Sequence, residues 1–202
     1  MDRIAAFAAA RRVPVSRCVG IAVVALFCVS APSWDTRSWP GALAGPLGLV
    51  LTAVGAMGRV WCALHIEGRK DDRLVREGPY SLVRHPLYLF SFLGATGLAL
   101  ASRCAWLVAA VPLSILAFYP WVVRNEEATL RRRHGDAWLA YRAAVPACLP
   151  RTLRARSPER LDVDAHLAAR AITHSLSFFL VYAGMQLVDR LKADHLIPLL
   201  LR

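Results

Sequence analysis

The side chains best suited to chemistry lie close together in one short stretch, residues 78–88, where a charged segment gives way to an apolar one. This stretch holds the guanidinium of Arg84, the imidazole of His85 and the phenols of Tyr80 and Tyr88. Arginine binds carboxylates and phosphates through paired hydrogen bonds. The residue types therefore predict a site that accepts an anionic group.

The local sequence indicates how the backbone holds these side chains. Gly78-Pro79 is a turn signal, because glycine permits a positive φ and proline fixes φ. Pro86 fits the first turn of a helix but not its interior, and it disfavours helical backbone at the preceding residue. We therefore predict that His85 is the last residue before a helix. Arg84 and His85 would then lie at the N-terminus of that helix, where free N–H groups and the dipole favour an anion.

A second polar segment, residues 124–146, carries the acidic pair Glu126-Glu127. Arg124 lies three residues before Glu127 and Arg131 four residues after it, so these charges share one helical face. Taken alone, the pattern fits ion pairs on a solvated helix, each worth about 0.3–0.5 kcal/mol. The segment gains interest only in combination with the first one.

Composition places the chain in a membrane. It has 202 residues, of which 56% are hydrophobic, and this is too apolar for an ordinary soluble domain. The net charge of +11 would indicate nucleic acid in a soluble protein. Here the basic residues cluster between apolar runs, so anionic lipid and membrane topology explain them better. The five cysteines form no Cys-x-x-Cys pair, so neither a disulfide framework nor a metal site is predicted.

We predict an all-α fold: a polytopic integral membrane helical bundle of about five transmembrane helices, forming a single membrane domain over residues 1–202. The spans are placed at residues 15–31, 41–65, 86–101, 104–123 and 171–188. Only Ser102-Arg103 separates the third span from the fourth, which predicts a tight helical hairpin. Gly135 has the character of a helix C-cap. Residues 1–31 also fit a signal peptide, but their apolar run is long for one, so the span is favoured.

Glycines in the second span predict close packing of helices. They are Gly41, which begins a Gly-x-x-x-Gly pattern, Gly45, Gly48, Gly55 and Gly58. Small residues at such spacing let helices approach closely in lipid, although ordinary apolar filler explains them equally well. Arg59 and His65 lie near the end of the span, and we expect them to extend to the membrane interface.

The distribution of arginine predicts the orientation. Segments 1–17, 66–84 and 124–170 are rich in arginine and should share the cytoplasmic face. Segments 32–40, 102–103 and 189–202 carry few positive charges and should lie on the opposite face. Five spans with the N-terminus inside satisfy every segment. Both polar segments of interest then lie on the cytoplasmic side of a multi-pass protein, in a bacterial-type inner (plasma) membrane.

In combination, the two polar segments resemble a known family. The matching residues are Leu74-Val75, Gly78-Pro79-Tyr80, Val83-Arg84-His85-Pro86-x-Tyr88, Glu126-Glu127-x-x-Leu130, Gly135, Tyr141, Val145-Pro146 and Pro150. Over about residues 55–150 the chain resembles the isoprenylcysteine carboxyl methyltransferase and phospholipid methyltransferase group of integral membrane enzymes. It departs from the family pattern at Phe90, His134, Trp138 and Ala147, which are expected around the pocket rim and leave the acceptor open.

The resemblance implies S-adenosylmethionine as methyl donor, bound without a Rossmann domain in a cytoplasmic pocket within residues 66–150. The absence of a Gly-x-Gly-x-x-Gly turn after a strand agrees with this. The cofactor-binding residues implied are Leu74, Val75, Gly78, Tyr80, His85, Pro86, Tyr88, Glu126 and Glu127. Arg84 and Glu127 are implied in catalysis, with Arg84 held by a glutamate or in contact with the substrate.

The expected reaction is methyl transfer to a lipid-borne or prenylated acceptor in the membrane, and positive charge near the motif favours a carboxylate. The alternative acceptor is the amine of a phospholipid. A non-catalytic membrane scaffold or transporter subunit would explain the spans but not the clustered polar side chains. A haem or metal protein is disfavoured, because His65, His85 and His134 match no compact ligand spacing.

Overall fold

The computed structural model describes residues 24–28, 30–35, 37–66, 73–161, 163–194 and 196. Its long elements are α1 (Trp39–Ile66), α2 (Pro86–Ala101), α3 (Ala105–Ala144) and α4 (Ala165–Ala193), and a short 3-10 turn covers Pro79–Ser81. Residues 24–28 are also helical. This part of the chain contains no β-strand, so the predicted all-α class is confirmed.

Helices α1, α3 and α4 are long and apolar enough to cross a membrane, by length and composition. The predicted spans 41–65, 86–101, 104–123 and 171–188 correspond to α1, α2, the first part of α3 and α4. With 16 residues, α2 is shorter than the roughly 20 that a full crossing takes. The predicted first span, 15–31, lies largely outside the described residues, so the number of five stays a prediction.

Helix α3 continues well past the end predicted for the fourth span. Residues 105–123 carry no charged side chain, whereas residues 124–144 are polar. Glutamate, alanine, leucine and arginine all favour the helix, so the apolar stretch ends while the helix goes on. The regular geometry is interrupted at Gly135, whose φ of 49° suits a residue without Cβ and agrees with the break predicted there.

Helices α2 and α3 form the predicted hairpin. Helix α2 ends at Ala101, and Arg103 adopts a φ of 57° in the turn. The hydroxyl of Ser102 accepts a hydrogen bond from the backbone N–H of Cys104 (3.1 Å), which fixes the start of α3. Because α3 runs back along α2, its polar part returns to the N-terminus of α2.

An ion pair holds the hairpin turn against α4 at the opposite end of α2. Nη2 of Arg103 lies 2.6 Å from Oδ2 of Asp189. The ammonium of Lys192 lies 3.6 Å from the same carboxylate and donates to the carbonyl of Phe27 (2.6 Å). These charges are largely buried but paired, as burial of charge requires.

Helices α1 and α2 pack with their backbones in contact. A methyl group added at Gly55 would lie 2.4 Å from the backbone nitrogen of Gly94, and one at Gly48 would lie 2.7 Å from that of Ala101. Only glycine permits this approach, as the sequence predicted for both positions. Gly45, the second glycine of the Gly-x-x-x-Gly pattern, is not at this interface, since a methyl group added there meets no atom within 4 Å. The interface is therefore formed further along α1 than the Gly-x-x-x-Gly pair suggested.

We expect Gly55→Leu to destabilise the folded protein, because the added side chain would collide with the backbone of α2. Overpacking costs about 1–3 kcal/mol, and backbone neighbours place this change at the upper end. Gly45→Leu in the same helix is the matched control, since open space surrounds that position. Thermal unfolding in detergent compares the two, and equal unfolding temperatures would contradict the close approach of α1 and α2.

Candidate functional site

The site lies where α2 begins and the polar part of α3 passes it. His85 is the N-cap residue of α2, with φ −124° and ψ 57°, and Pro86 is the first helical residue, as predicted. Nε2 of His85 lies 3.1 Å from Oε1 of Glu127, and Nδ1 lies 3.8 Å from Oε2 of Glu126. The predicted convergence of His85 with both glutamates is confirmed.

The guanidinium of Arg84 binds protein groups. Its Nε and Nη2 donate to Oε1 of Glu127 at 3.0 and 2.9 Å. Its Nη1 donates to the carbonyls of Arg142 (3.0 Å) and Val145 (2.8 Å), and its Cζ lies 5.9 Å from the ring centroid of Trp138. Arg84 was expected either to be held by a glutamate or to contact the substrate, and the structure contains the contact with a glutamate.

The backbone before α2 is clasped by the residues that follow α3. The N–H of Arg84 donates to the carbonyl of Pro146 (2.8 Å), and the N–H of His85 donates to that of Ala147 (3.2 Å). Because Pro86 disfavours helical backbone before it, these donors need acceptors outside α2. The position of the two side chains is thus fixed from both the α2 and the α3 side.

Glu127 is the shared acceptor, and it lies in α3 beyond the apolar stretch. Burial alone would raise its pKa, but hydrogen bonds from His85 and Arg84 outweigh burial and lower the pKa of Glu127. The carboxylate is therefore ionised at neutral pH. Its Oε2 lies 3.9 Å from Nε of Arg142, which brings a second guanidinium close to the carboxylate.

Tyr80 and Glu126 present buried polar atoms for which the described residues offer no hydrogen-bond partner: the Tyr80 hydroxyl and Oε2 of Glu126. Burial raises the pKa of Tyr80, and Cys62 and Glu126 nearby add to the rise, so the phenol stays a neutral donor. The carbonyl of Tyr80 accepts a hydrogen bond from the hydroxyl of Tyr141 (2.7 Å), which fixes the turn. Unpaired buried polar atoms cost about 1–3 kcal/mol each, so this pair is a natural place for a ligand.

Leu74 and Val75 line a half-open cavity of about 360 Å³ formed by residues 73–77. Its described lining does not include Glu126 or Glu127, so Leu74 and Val75 lie outside the polar cluster. Gly78 follows with a φ of 59°, as expected for a turn. A methyl group there would lie 2.2 Å from Nε2 of the buried His65, so glycine is needed for space as well as for conformation.

Tyr88 lies in the first turn of α2. Its ring centroid is 5.9 Å from that of His85 and 4.9 Å from that of Tyr119 on α3. These aromatic contacts continue from the polar cluster into the space between α2 and α3. The structure thus brings Tyr88 to the cluster through its contact with His85.

Two departures from the family pattern lie elsewhere than the pocket rim where they were expected. Trp138 is buried, with the guanidinium of Arg84 over its ring. Phe90 packs between α1 and α2, where its ring occupies the space beside Gly58. Both are packing residues whose positions depend on contacts between helices, which local sequence does not define.

Arg59 and His65 do not extend to the membrane interface, contrary to expectation. His65 is buried, and its Nδ1 lies 2.9 Å from the carbonyl of Trp61. Nη1 of Arg59 donates to Oγ of Ser91 on α2, and its Nε is buried. A signal was present in the sequence: Arg59 follows Gly55 by four residues, so it lies on the helix face that packs against α2.

No group of three His, Cys, Asp or Glu side chains that could hold a metal ion occurs in the described part of the chain. This finding covers only the ranges that the structure describes.

The chain matches one family profile and three known proteins. The sequence profile of a family described as phospholipid methyltransferase matches residues 41–137. The cobalt-zinc-cadmium resistance protein CzcN of Cupriavidus metallidurans is 34% identical over 172 residues, which cover 85% of this chain and 79% of that protein. The nickel-cobalt-cadmium resistance protein NccN of Alcaligenes xylosoxydans xylosoxydans is 32% identical over 182 residues, 90% of this chain and 83% of that protein.

A shorter match connects the chain to a named methyltransferase. The protein-S-isoprenylcysteine O-methyltransferase of Schizosaccharomyces pombe is 33% identical over 81 residues, 40% of this chain and 34% of that protein. No solved structure matches the chain. The matches to the methyltransferase and to the family profile support the resemblance drawn from the motif residues.

We expect Arg84→Met to destabilise the protein, because it leaves His85 as the remaining hydrogen-bond donor of Glu127 and removes the donor of two backbone carbonyls. Removing one partner of a fully buried pair costs about 3–5 kcal/mol, and partial exposure reduces this to roughly 2 kcal/mol. Arg131→Met, at an exposed position of α3, is the control. Thermal unfolding should separate the two variants, and a control as unstable as Arg84→Met would argue against a special role for this ion pair.

Proposed function

Because this chain belongs to the phospholipid methyltransferase family, we propose that it is a membrane methyltransferase that takes its methyl group from S-adenosylmethionine. The observation that carries the proposal is the convergence of Arg84 and His85, at the start of α2, with Glu126 and Glu127 of α3. A scaffold or transporter subunit would not require this arrangement.

The residues present fit such a donor. Its amino acid end carries an ammonium group, and Glu126 has a buried, unpaired carboxylate oxygen suited to accept a hydrogen bond from it. The Tyr80 hydroxyl near Glu126 is an unpaired donor for the same ligand. Backbone groups at Leu74 and Val75, which line the cavity, and at Gly78, which follows them in the chain, are proposed to bind the rest of the donor. When bound, the sulfonium supplies a methyl group already activated for transfer.

We assign different roles to the two glutamates. Glu127 is already bound by Arg84 and His85, so it is proposed as a positioning residue that holds the start of α2 in place. Glu126 makes only a longer approach to His85, 3.8 Å, and is the carboxylate available to a ligand. Pro86 and Tyr88 complete the wall through the fixed helix start and the ring contact with His85.

The chain's own contribution to the reaction is placement and exclusion of water. Groups fixed from several sides, as Arg84 and His85 are, hold reactants in line, and such orientation supplies much of the rate in a transfer of this kind. Arg84 would help to place an anionic acceptor, whose negative charge decreases as the C–O bond forms and the C–S bond to the cationic donor breaks. A carboxylate acceptor needs no base, whereas an amine must first lose a proton.

We propose a lipid-borne acceptor methylated at a carboxylate, with phospholipid amine methylation as the alternative. The charge of the motif loop supports the first less strongly than the sequence suggested. Arg73 pairs with Glu77 at 3.4 Å, Arg76 donates to a backbone carbonyl, and Arg84 is bound by Glu127. The other two basic residues of that loop, at 69 and 70, lie outside the described residues.

The orientation predicted from arginine distribution completes the proposal. Five spans with a cytoplasmic N-terminus would place the polar cluster at the cytoplasmic face of a bacterial-type inner membrane. The three candidate spanning helices and the hairpin with α2 support a multi-pass arrangement. A lipid acceptor would then reach the cluster from within the bilayer.

A second candidate role follows from the two relatives named for metal resistance, which this chain matches over most of their length. We propose that modification of a membrane component contributes to tolerance of cobalt, zinc or cadmium. Nothing in this proposal needs a metal site in the chain. Deletion of the gene should lower metal tolerance, and complementation with wild type but not with Glu126→Gln should restore it.

Cofactor binding is tested by calorimetry with S-adenosylhomocysteine on detergent-solubilised protein. We expect Glu126→Gln to weaken binding about 10- to 100-fold, the range for loss of a charged hydrogen bond, with the unfolding temperature unchanged. Glu127→Gln should weaken binding and also lower the unfolding temperature, because it loosens Arg84 and His85. Unchanged affinity in both variants, or no binding by wild type, would refute the assignment.

The acceptor class is tested by the stability of the product. Membranes containing the protein are incubated with S-adenosylmethionine carrying a labelled methyl group, and the lipid and protein fractions are then treated with mild base. A methyl ester releases labelled methanol, and this is the expected result. Label that survives base and is found in phospholipid head groups would establish the amine alternative in place of the carboxylate.

A further inference from the structure

Arg59 is a cation within a membrane-spanning helix. It lies in α1 seven residues before Ile66, or about 10 Å along the helix axis, on the side nearer the polar cluster. Charged side chains at such depth are costly, and they generally face the interior of a bundle and mark a binding site or pathway. The position therefore calls for a partner.

The described protein supplies Arg59 with only part of what a guanidinium requires. Nη1 donates to Oγ of Ser91, and Cζ lies 5.7 Å from the ring centroid of Phe178 on α4. Nε is buried and has no hydrogen-bond partner. Among the described residues no carboxylate lies within ion-pair distance of Arg59, whereas Arg84 and Arg103 have Glu127 and Asp189.

Arg59 is connected to the polar cluster by side chains in contact. Tyr119 lies beside Ser91 and within electrostatic reach of Arg59. Its ring is 4.9 Å from that of Tyr88, which in turn is 5.9 Å from that of His85. A polar and aromatic path therefore leads from the interior of the bundle, where α1, α2, α3 and α4 meet, to the site proposed for methyl transfer.

We propose that Arg59 binds an oxyanion of the lipid-borne acceptor, a carboxylate or a phosphodiester, and so selects anionic acceptors. The inference rests on the proposed function and deepens it by naming the group that recognises the substrate. A guanidinium matches the two oxygens of either anion through parallel hydrogen bonds. A neutral head group would leave Nε unpaired, and an isolated ammonium would be repelled.

The test measures binding of probes to purified protein in non-ionic detergent, by change in tryptophan fluorescence. One pair of probes is N-acetyl-S-farnesylcysteine and its methyl ester, which differ in one carboxylate. The second pair is dioleoyl phosphatidylglycerol and dioleoylglycerol, which differ in an anionic phosphodiester head group. The first variant, Arg59→Gln, removes the charge but keeps a donor for Ser91. The second, Arg59→Lys, keeps the charge but lacks the two parallel N–H donors of a guanidinium.

We expect wild type to prefer the anionic member of at least one pair by about tenfold or more, the effect of a charged hydrogen bond. Arg59→Gln should abolish the preference while leaving affinity for the neutral member unchanged, and Arg59→Lys should restore it in part. Preference within the first pair alone identifies a carboxylate acceptor, and within the second pair alone a phospholipid. Arg131→Gln, which removes an exposed positive charge, should leave the preference intact.

Absence of preference in wild type, or persistence of it in Arg59→Gln, would overturn the inference. Loss of affinity for neutral and anionic probes alike in both Arg59 variants would also overturn it, since that pattern indicates a structural role. S-adenosylhomocysteine binding, measured in parallel, separates the two proposals. If wild type does not bind S-adenosylhomocysteine, the methyltransferase proposal is refuted, but the probe measurements still test oxyanion binding by Arg59. If every variant binds S-adenosylhomocysteine normally, a negative probe result contradicts only the proposal for Arg59.

Discussion

The site depends on one carboxylate shared by two side chains that are adjacent in sequence. Glu127 accepts hydrogen bonds from both Arg84 and His85, which are adjacent in sequence and lie outside the helix that Pro86 begins. Such a group must stay ionised in a partly buried position, and the lowered pKa of Glu127 shows that its donors outweigh burial. The backbone N–H groups of the same two residues donate hydrogen bonds to carbonyls of the segment that follows α3. One interaction therefore joins the start of α2 to both the middle and the end of α3.

The rest of the bundle sets the register in which this can happen. The turn at Arg103 sends α3 back along α2, and α3 continues far enough for Glu127 to reach His85. Backbone contact between α1 and α2 at Gly55 holds α2 from the other side, and the pair of Arg103 with Asp189 holds the turn against α4. Small residues and one buried ion pair thus do the positioning, because hydrophobic burial does not drive helices together in lipid.

Features governed by local chemistry were predictable from sequence. The helix start at Pro86, the turn at Gly78 and the break at Gly135 each follow from the backbone limits of proline or glycine. The meeting of His85 with the glutamates was predicted only through resemblance to a family, since charge spacing alone fits a solvated helix equally well. Contacts that depend on the pairing of helices were not predicted, such as the burial of Trp138 under Arg84.

Which glycines contact α2, and which way Arg59 faces, also depend on the pairing of helices and not on local sequence. A Gly-x-x-x-Gly pattern states that helices can approach, but only the rotation of α1 determines that Gly48 and Gly55 meet α2 while Gly45 does not. That rotation also turns Arg59 inward, because it lies one helical turn beyond Gly55. Hydropathy treats an arginine near a span end as a candidate for the interface, and it contains no information on which way the helix faces.

The buried polar atoms without partners give the last step. The described residues leave five buried side-chain atoms unsatisfied: Nε of Arg59, the hydroxyl of Tyr80, Oε2 of Glu126, Oγ1 of Thr96 and Nε of Arg103. The guanidinium of Arg103 is nevertheless paired with Asp189, whereas that of Arg59 has no carboxylate partner among the described residues. Native proteins rarely leave such atoms unpaired, since each costs about 1–3 kcal/mol. Glu126 and Tyr80 lie at the polar cluster, while Arg59 lies deeper among the helices and carries the opposite charge to Glu126. Two sets of unmet hydrogen bonds, one suited to a cation and one to an anion, are what a transfer between a cationic donor and an anionic lipid would require.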